Sequence, residues 1–263
     1  MYSKEHKKYL KKLKINKFTV RFFQIFIIIF LIIIWQIAAT NGWINTFISS
    51  SPKAVIKTII NLYNDGSLLY HIWITFYEVI ISFILGTLIG LIIATLLWRY
   101  KTLSKILDPY LTVLNSLPKV SLGPIIIIIA GAGIKSIIIM ALFISVIITI
   151  MDIYTAFSNT DYNKIRLLQS FKATKKQIYF KLILPSNFKT IISILKINLS
   201  LTFIGVIMGE FLVSKAGVGY LIMYGSQVFN LNLVITGIII LAFMASILYY
   251  TILFIEKRLS KNR

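Results

Sequence analysis

The sequence lacks cysteine, and among its 263 residues it has only two histidines and eight acidic residues. Without cysteine, disulfide frameworks, thiolate metal sites and cysteine redox chemistry are excluded. His6 lies in a basic segment and His71 at the edge of an apolar run, so a histidine-rich site is not expected. A Walker loop, an HExxH helix and a nucleophile elbow are also missing from the sequence. We therefore expect no catalytic site, metal or cofactor on this chain.

Charge is scarce and apolar residues dominate. Charged residues make up 14% of the chain and hydrophobic residues 58%, whereas soluble domains are nearer ~25% charged and ~45–50% apolar. A soluble core of this size cannot absorb so much apolar surface. The net charge of +20 could indicate nucleic acid, but the basic residues lie in short blocks between apolar runs, as in membrane proteins. The composition predicts an integral membrane protein that contacts lipid and not nucleic acid.

Six apolar segments approach the ~20 residues that a helix needs to cross a membrane. The first follows a basic segment, as in a signal peptide, but its length favours a retained span. The third is interrupted by Pro118, Gly123 and Pro124, and this break either lines a translocation path or only serves packing. We predict an all-α protein with a basic tail (1–21), a transmembrane domain (22–258) and a second tail (259–263). The predicted spans are 22–40, 72–98, 108–130, 136–157, 188–213 and 233–255.

The distribution of basic residues predicts the orientation of these spans. With both termini in the cytoplasm, the inner segments hold 22 Lys and Arg and the outer segments four. This difference fits the positive-inside rule and places both termini in the cytoplasm. Gly86 and Gly90 in the second span have the small-xxx-small spacing of a helix-packing seam. Residues 53–63 are predicted to form a short helix on the outer face.

Three acidic residues fall within apolar segments: Glu78, Asp152 and Glu210. Ionisable groups inside a membrane are expensive and indicate function, here a possible place on a translocation path. Capping of a packing network and exposure to a water-filled cavity are the alternatives. Lys196, inside the fifth span, is expected to extend towards the cytoplasm rather than to bind an anion.

The cytoplasmic interval between spans four and five, residues 161–185, is the longest polar stretch inside the apolar part of the chain. Apolar residues recur in it at helical spacing, at Ile165, Leu168, Phe171, Ile178 and Leu182. This pattern predicts a short pair of amphipathic helices lying against a partner. A solvated basic loop that only sets topology is the alternative.

Residues 161–185 resemble the cytoplasmic coupling loop of permease subunits from binding-protein-dependent bacterial ABC importers. That loop carries Glu-Ala-Ala, three residues, Gly, nine residues, then an aliphatic residue, any residue and Leu-Pro. Leu182-Ile183-Leu184-Pro185 match its end. Further on, Gly209-Glu210-Phe211 and the segment 216–221 (AGVGYL) resemble the nitrate, taurine and aliphatic sulfonate branch of these permeases.

The sequence departs from the family pattern at its best-known positions. Arg166, Leu167 and Leu168 replace Glu-Ala-Ala, and Lys172 replaces the glycine. A lysine adopts a positive φ at a cost of about 1 kcal/mol. The turn therefore either has another geometry or is replaced by one continuous helix. The missing glutamate also removes any salt bridge that it makes with an ATPase in the family.

The resemblance implies a permease that pairs with a second copy of itself, with cytoplasmic ATPase subunits and with an extracytoplasmic substrate-binding protein. It implies import of a small nitrate-, sulfonate- or taurine-like anion across a bacterial cytoplasmic membrane, with ATP hydrolysed on the partner. Import of a thiamine-precursor-like heterocycle, an ion-coupled carrier or channel, and a structural scaffold are the alternatives. The residues expected to couple to the ATPase are Ser170, Phe171, Lys172, Ala173, Thr174, Ile178 and Pro185.

Overall fold

A computed structural model of the chain describes residues 4–261, and its regular structure in that range is entirely helical. A 3₁₀ turn (Lys119–Leu122) precedes the sixth helix, and a π turn (Tyr179–Ile183) joins the ninth to the tenth. The helices are α1 Lys4–Thr40, α2 Thr46–Ser49, α3 Pro52–Asn64, α4 Ser67–Arg99, α5 Lys101–Ser116, α6 Gly123–Ala130, α7 Ile134–Ser158, α8 Tyr162–Ser170, α9 Lys175–Ile178, α10 Leu184–Ser186, α11 Phe188–Val213, α12 Val218–Gln227 and α13 Leu231–Lys261.

Five of these helices contain segments that are long and apolar enough to cross a membrane: 18–40, 67–99, 134–158, 188–213 and 231–258. A sixth span is possible if α5 and residues 119–130 count as one, although the two pieces meet at 88°. The predicted all-α fold is confirmed, and so is the break in the third span. α5 and α6 lie nearly at right angles because Pro118 and Pro124 flank the junction and cannot donate to a continuous helical ladder.

The centre of the bundle is made by α4, α7 and α11, and α7 packs on α11 and on α4 more extensively than any other two helices pack on each other. A Cβ on Gly90 of α4 would lie 2.5 Å from the Thr149 Cγ2 of α7. A Cβ on Gly205 of α11 would lie 2.5 Å from the Cα of Ala141, also on α7. In lipid, close backbone approach replaces the hydrophobic effect as the force that joins helices. The seam predicted at Gly86 and Gly90 is confirmed, and α11 contributes a second seam at Gly205 and Gly209.

Two buried clusters show how these helices run. One joins Leu68, Ile137 and Val206, at the start of α4, the start of α7 and the end of α11. The other joins Ala94, Phe157 and Ile194, at the opposite ends of the same three helices. α4 and α7 are therefore parallel to each other and antiparallel to α11, and residues 161–185 lie at the second end.

The first helix stands apart from this bundle. The side chains of residues 18–34 are exposed, and the strongest packing of α1 is on α3 near its own carboxyl end. There the Gln36 Oε1 accepts a hydrogen bond from the Lys53 backbone N–H at 3.1 Å. The first predicted span is helical, as expected, and the helix extends back to Lys4. The last residues of the predicted tail, 262–263, lie outside the described residues.

A helix is present where the sequence indicated only an outer loop. After α11, the predicted loop with Lys215, Gly217 and Gly219 turns at once into α12, which packs antiparallel on the start of α13. Gly237 of α13 admits the close approach, because a Cβ there would lie 2.5 Å from the Ile222 Cγ1. The outer end of the bundle is therefore a packed hairpin.

Candidate functional site

The segment 161–185, predicted to be cytoplasmic, forms two helices separated by a tight turn. The Asp161 side chain begins α8 by accepting from the Asn163 N–H. α8 ends in a Schellman motif, in which the Lys172 N–H bonds to Gln169 O at 2.8 Å and the Ala173 N–H to Leu168 O at 3.0 Å. Lys172 has φ 56°. The turn of the family is thus kept with lysine in the glycine position, and the continuous helix considered from sequence is wrong.

The second helix of this segment starts with a capping box. The Thr174 hydroxyl accepts from the Gln177 N–H, and the Gln177 Oε1 accepts from the Thr174 N–H. The helix then widens into the π turn, where the Leu184 N–H bonds to Tyr179 O. Pro185 follows directly, and its missing N–H and bulky ring are accommodated by this wider turn. Pro185 thus shapes the helix that leads back to the membrane.

The inner face of this segment is fixed to the bundle. Ile178 and Ile183 are buried in the cluster with Phe157 and Ile194. The hydroxyls of Tyr179 and Thr95 are hydrogen-bonded at 2.9 Å. These contacts join the segment to α4, α7 and α11 together. Ile178, predicted to face a partner, instead anchors the segment.

A hydrogen bond also ties the two ends of this segment together. The Asn187 Nδ2, just before α11, donates to the Thr160 Oγ1, just after α7, at 2.8 Å. The same nitrogen donates to Ile183 O at 2.9 Å. The segment is therefore closed on itself between residues 160 and 187.

The opposite side of the segment is open. Phe171, predicted to face a partner, is 73% exposed at the tip, whereas Ile165 and Leu168, which share its helical spacing, pack against the bundle. α8 stops at Ser170, and the turn carries Phe171 away from the face that packs on the bundle. Sequence reasoning missed Leu167, which is also exposed. Ala173 is half-buried against the bundle. We call the exposed set the coupling surface: Leu167, Ser170, Phe171, Lys172 and Thr174.

At the other end of the bundle, Glu210 of α11 accepts hydrogen bonds from two other helices. Its Oε1 accepts from the Thr75 hydroxyl of α4 at 2.6 Å. Its Oε2 accepts from the Gly219 N–H in the first turn of α12. Backbone N–H groups at a helix start are natural partners of a carboxylate. Glu210 thereby ties α4, α11 and α12 together, and we call this arrangement the outer clasp.

The two glycines of the AGVGY segment make room for the outer clasp. Gly217 has φ 107°, and a Cβ there would lie 2.3 Å from the Glu210 Oε1. A Cβ on Gly219 would lie 2.6 Å from the Glu210 Oε2. The loop is further held by the Gly217 N–H, which donates to the His71 Nδ1 at 3.0 Å, and by the Val218 N–H, which donates to the Thr75 Oγ1 at 2.8 Å. The motif that resembled a permease branch is thus a binding loop for a carboxylate of its own chain.

The three acidic residues of the predicted path do not form one site. Glu78 lies against Glu210 in the interior of the bundle. Asp152 is half-buried near the carboxyl end of α7 and makes no ion pair with any described residue. Lys196 of α11, expected to extend to the cytoplasm, forms a 2.6 Å ion pair with Glu256 of α13. Within residues 4–261, no group of three or more His, Asp or Glu could hold a metal ion.

A helical bundle with five or six apolar spans defines the chain as a multi-pass membrane protein. The chain belongs to the family of binding-protein-dependent transport system inner membrane components, whose model matches residues 86–261. Members of this family are the membrane subunits of ABC transporters and sit in the cytoplasmic membrane. The predicted family and location are confirmed.

Curated relatives agree with this assignment over most of the chain. A probable ABC transporter permease protein of Haemophilus influenzae is 30% identical over 84% of this chain and 90% of its own. A putative aliphatic sulfonates transport permease protein of Bacillus subtilis is 26% identical over 89% of this chain and 84% of its own. A formylaminopyrimidine transport permease protein of Halalkalibacterium halodurans is 24% identical over 72% of this chain and 75% of its own.

Solved structures show the same fold. A bacterial ABC transporter involved in the import of the acidic polysaccharide alginate matches with a TM-score of 0.68 and 14% identity, over 95% of this chain and 99% of its own. The MetNI methionine ABC transporter in an inward-facing conformation matches with a TM-score of 0.64 and 20% identity, over 75% and 96%. At these identities the likeness extends to the fold alone.

Proposed function

We propose that the chain is the permease subunit of an ATP-driven importer and that a separate cytoplasmic ATPase binds the coupling surface. The observation that carries this proposal is the contrast between the two sides of residues 161–185. Their inner side is buried against α4, α7 and α11, while Phe171 at the tip is 73% exposed. An exposed aromatic side chain on a rigid support is the kind of residue that anchors a protein interface.

The anchoring explains how ATP binding would reach the membrane. Two ATPase subunits that close on ATP would displace the coupling surface, and the buried contacts of Ile178 and Ile183 would pass this displacement to the spans. Packed cores respond to such a displacement by switching between discrete arrangements. The spans would alternate in this way between inward- and outward-open states.

A second copy of the chain and an extracytoplasmic binding protein complete the proposed importer. α5 and α6 meet at 88° and leave Ile128 and Ile129 strongly exposed. One bundle is small for a solute path, and pairing two copies along such broken helices would enclose one. The family is described as binding-protein-dependent, so solute would arrive at the outer end from a binding protein.

For the solute, we propose a small sulfonate-like anion. Relatives named for aliphatic sulfonates and for taurine support this choice. The relative named for formylaminopyrimidine supports a second candidate, a thiamine-precursor-like heterocycle. Uptake of labelled taurine and of a labelled aminopyrimidine by cells that carry the complete transporter would separate these candidates.

The coupling role is tested by Phe171→Asp. A charge at the exposed tip removes the aromatic anchor without disturbing the buried face, so we expect the ATPase subunit to be lost from the purified complex. Uptake should fall at least about tenfold, which corresponds to the loss of ~1.4 kcal/mol or more of interface energy. Membrane insertion and thermal stability should stay at wild-type values.

Phe229→Asp is the matched control. Phe229 is 74% exposed but lies between α12 and α13, at the other end of the bundle. We expect this variant to retain the ATPase subunit. Wild-type uptake and normal ATPase copurification in Phe171→Asp would refute the coupling assignment.

The predicted orientation can be tested by labelling, because the chain contains no cysteine. Lys215 and Lys175 are both exposed and lie at opposite ends of the bundle. With both termini inside, a Lys215→Cys variant should react with a membrane-impermeant maleimide in intact cells. A Lys175→Cys variant should react only after lysis. Reaction of both cysteines in intact cells would contradict the orientation.

A further inference from the structure

Glu78 is a buried acid without a hydrogen-bond donor. Its relative exposure is 0%, and no donor among the described residues reaches either carboxyl oxygen. An ionised carboxylate in such a place would cost many kcal/mol unless a cation or several donors compensated for the lost water. The group in contact with it is another carboxyl, that of Glu210.

Glu210 has the opposite surroundings. It is also buried, but the Thr75 hydroxyl and the backbone N–H groups of Gly219 and Tyr220 all point at its oxygens. Two N–H groups at the start of α12 and a side-chain hydroxyl together stabilise a negative charge. Within one acidic pair, the surroundings therefore favour a charge on Glu210 and disfavour one on Glu78.

No cation balances the pair among the described residues. The nearest basic side chain is His71, whose Nδ1 already accepts a hydrogen bond from the Gly217 N–H, and the ring stacks on Tyr220. The lysines at this end of the neighbouring helices and loops are all exposed. The titratable residues at this end of the elements packed around the pair are His71, Tyr63, Tyr70, Tyr77, Tyr220, Tyr224, Asp65, Lys53, Lys57, Lys135 and Lys215.

We propose that Glu78 and Glu210 form one proton-binding site. Glu78 is the neutral carboxylic acid and donates its O–H to the Glu210 carboxylate, so the pair carries one proton and one negative charge. Two adjacent carboxylates shielded from water cannot both ionise, and a shared proton supplies the donor that Glu78 lacks. The bound proton holds α4 against α11 and α12 at the outer clasp. This inference concerns a different end of the molecule from the coupling surface and does not depend on it.

The two glutamines that can replace these acids should behave differently. In Glu78→Gln, the amide N–H₂ takes the place of the acid O–H and continues to donate to Glu210. In Glu210→Gln, an amide N–H₂ faces backbone N–H donors and the charge that they stabilise is gone. We expect the yield of folded, thermally stable full-length protein from Glu78→Gln to be within about twofold of the wild-type yield. The yield from Glu210→Gln should be at least about tenfold lower than that of wild type.

Infrared spectroscopy of the full-length protein in lipid detects the proton directly. A neutral carboxylic acid has a C=O stretching band that shifts in D₂O, and Glu78→Gln should remove that band. Loss of the band together with the unequal behaviour of the two glutamine variants would support the site. A Glu78→Gln variant that is as unstable as Glu210→Gln would overturn it, and so would a wild-type spectrum in which Glu78→Gln removes no acid band.

Discussion

Gly205→Ala should destabilise the permease by about 2–3 kcal/mol, as expected for overpacking against a rigid neighbour. The added methyl group would lie 2.5 Å from the Cα and 3.1 Å from the Cβ of Ala141. A backbone atom cannot rotate away, so α7 and α11 must separate along the seam. The effect opposes intrinsic propensity, because alanine is favoured over glycine by ~1 kcal/mol inside a helix. Thermal unfolding of the purified protein in detergent measures the change.

Gly86→Ala is the matched substitution on the other seam. Its methyl group would lie 3.0 Å from the Ser145 Oγ, and a serine hydroxyl can rotate away. We expect a loss of at most about 1 kcal/mol, partly offset by the gain in helix propensity. If both alanine variants lost the same free energy of unfolding, the contact between α7 and α11 would not be closer than the contact between α4 and α7.

Gly217→Ala should open the outer clasp. At φ 107° an alanine is strained, and its Cβ would overlap the Glu210 carboxylate. The carboxylate must leave the Thr75 hydroxyl and the Gly219 N–H, and hydrogen bonds to a charged group contribute ~1.5–3 kcal/mol each. We expect a loss of about 3 kcal/mol or more and faster proteolysis between α11 and α12. Thermal unfolding and limited proteolysis give the two measurements.

Gly131→Ala separates backbone strain from loss of the clasp. Gly131 also has a positive φ, 81°, but no atom lies within 4 Å of a Cβ placed there. With ψ 161° Gly131 lies in a backbone region that is almost restricted to glycine, so this variant should lose only the ~1–3 kcal/mol of that backbone strain. If Gly217→Ala lost no more stability than Gly131→Ala, the clasp would contribute nothing to the fold.

Most of the helical layout followed from the sequence alone. The predicted fifth span, residues 188–213, coincides with α11, and the predicted outer helix 53–63 lies within α3. Apolar segment length and glycine spacing are local signals, so they can be recognised without knowing the fold. α12 was missed because VGYLIMYGSQ is too short for a span and follows glycines that resemble a loop.

The two ends of the bundle were predictable to different degrees. Leu-Pro at 184–185 and the apolar spacing indicated the position of the cytoplasmic helix pair. The helical period grouped Phe171 with Ile165 and Leu168, and it could not show that α8 stops at Ser170 and leaves Phe171 exposed at the tip. Glu78 and Glu210 lie on different spans, and only the register of α4 against α11 places their carboxyl groups in contact.

The bond between Asn187 and Thr160 has a mechanical consequence. It joins the two legs of the cytoplasmic segment at their base, next to the spans that they continue. A force applied at Phe171 would therefore act on both legs and would tend to turn the segment about that base. The resulting torque reaches α7 and α11 at the same time, so both spans would rotate together in a single stroke.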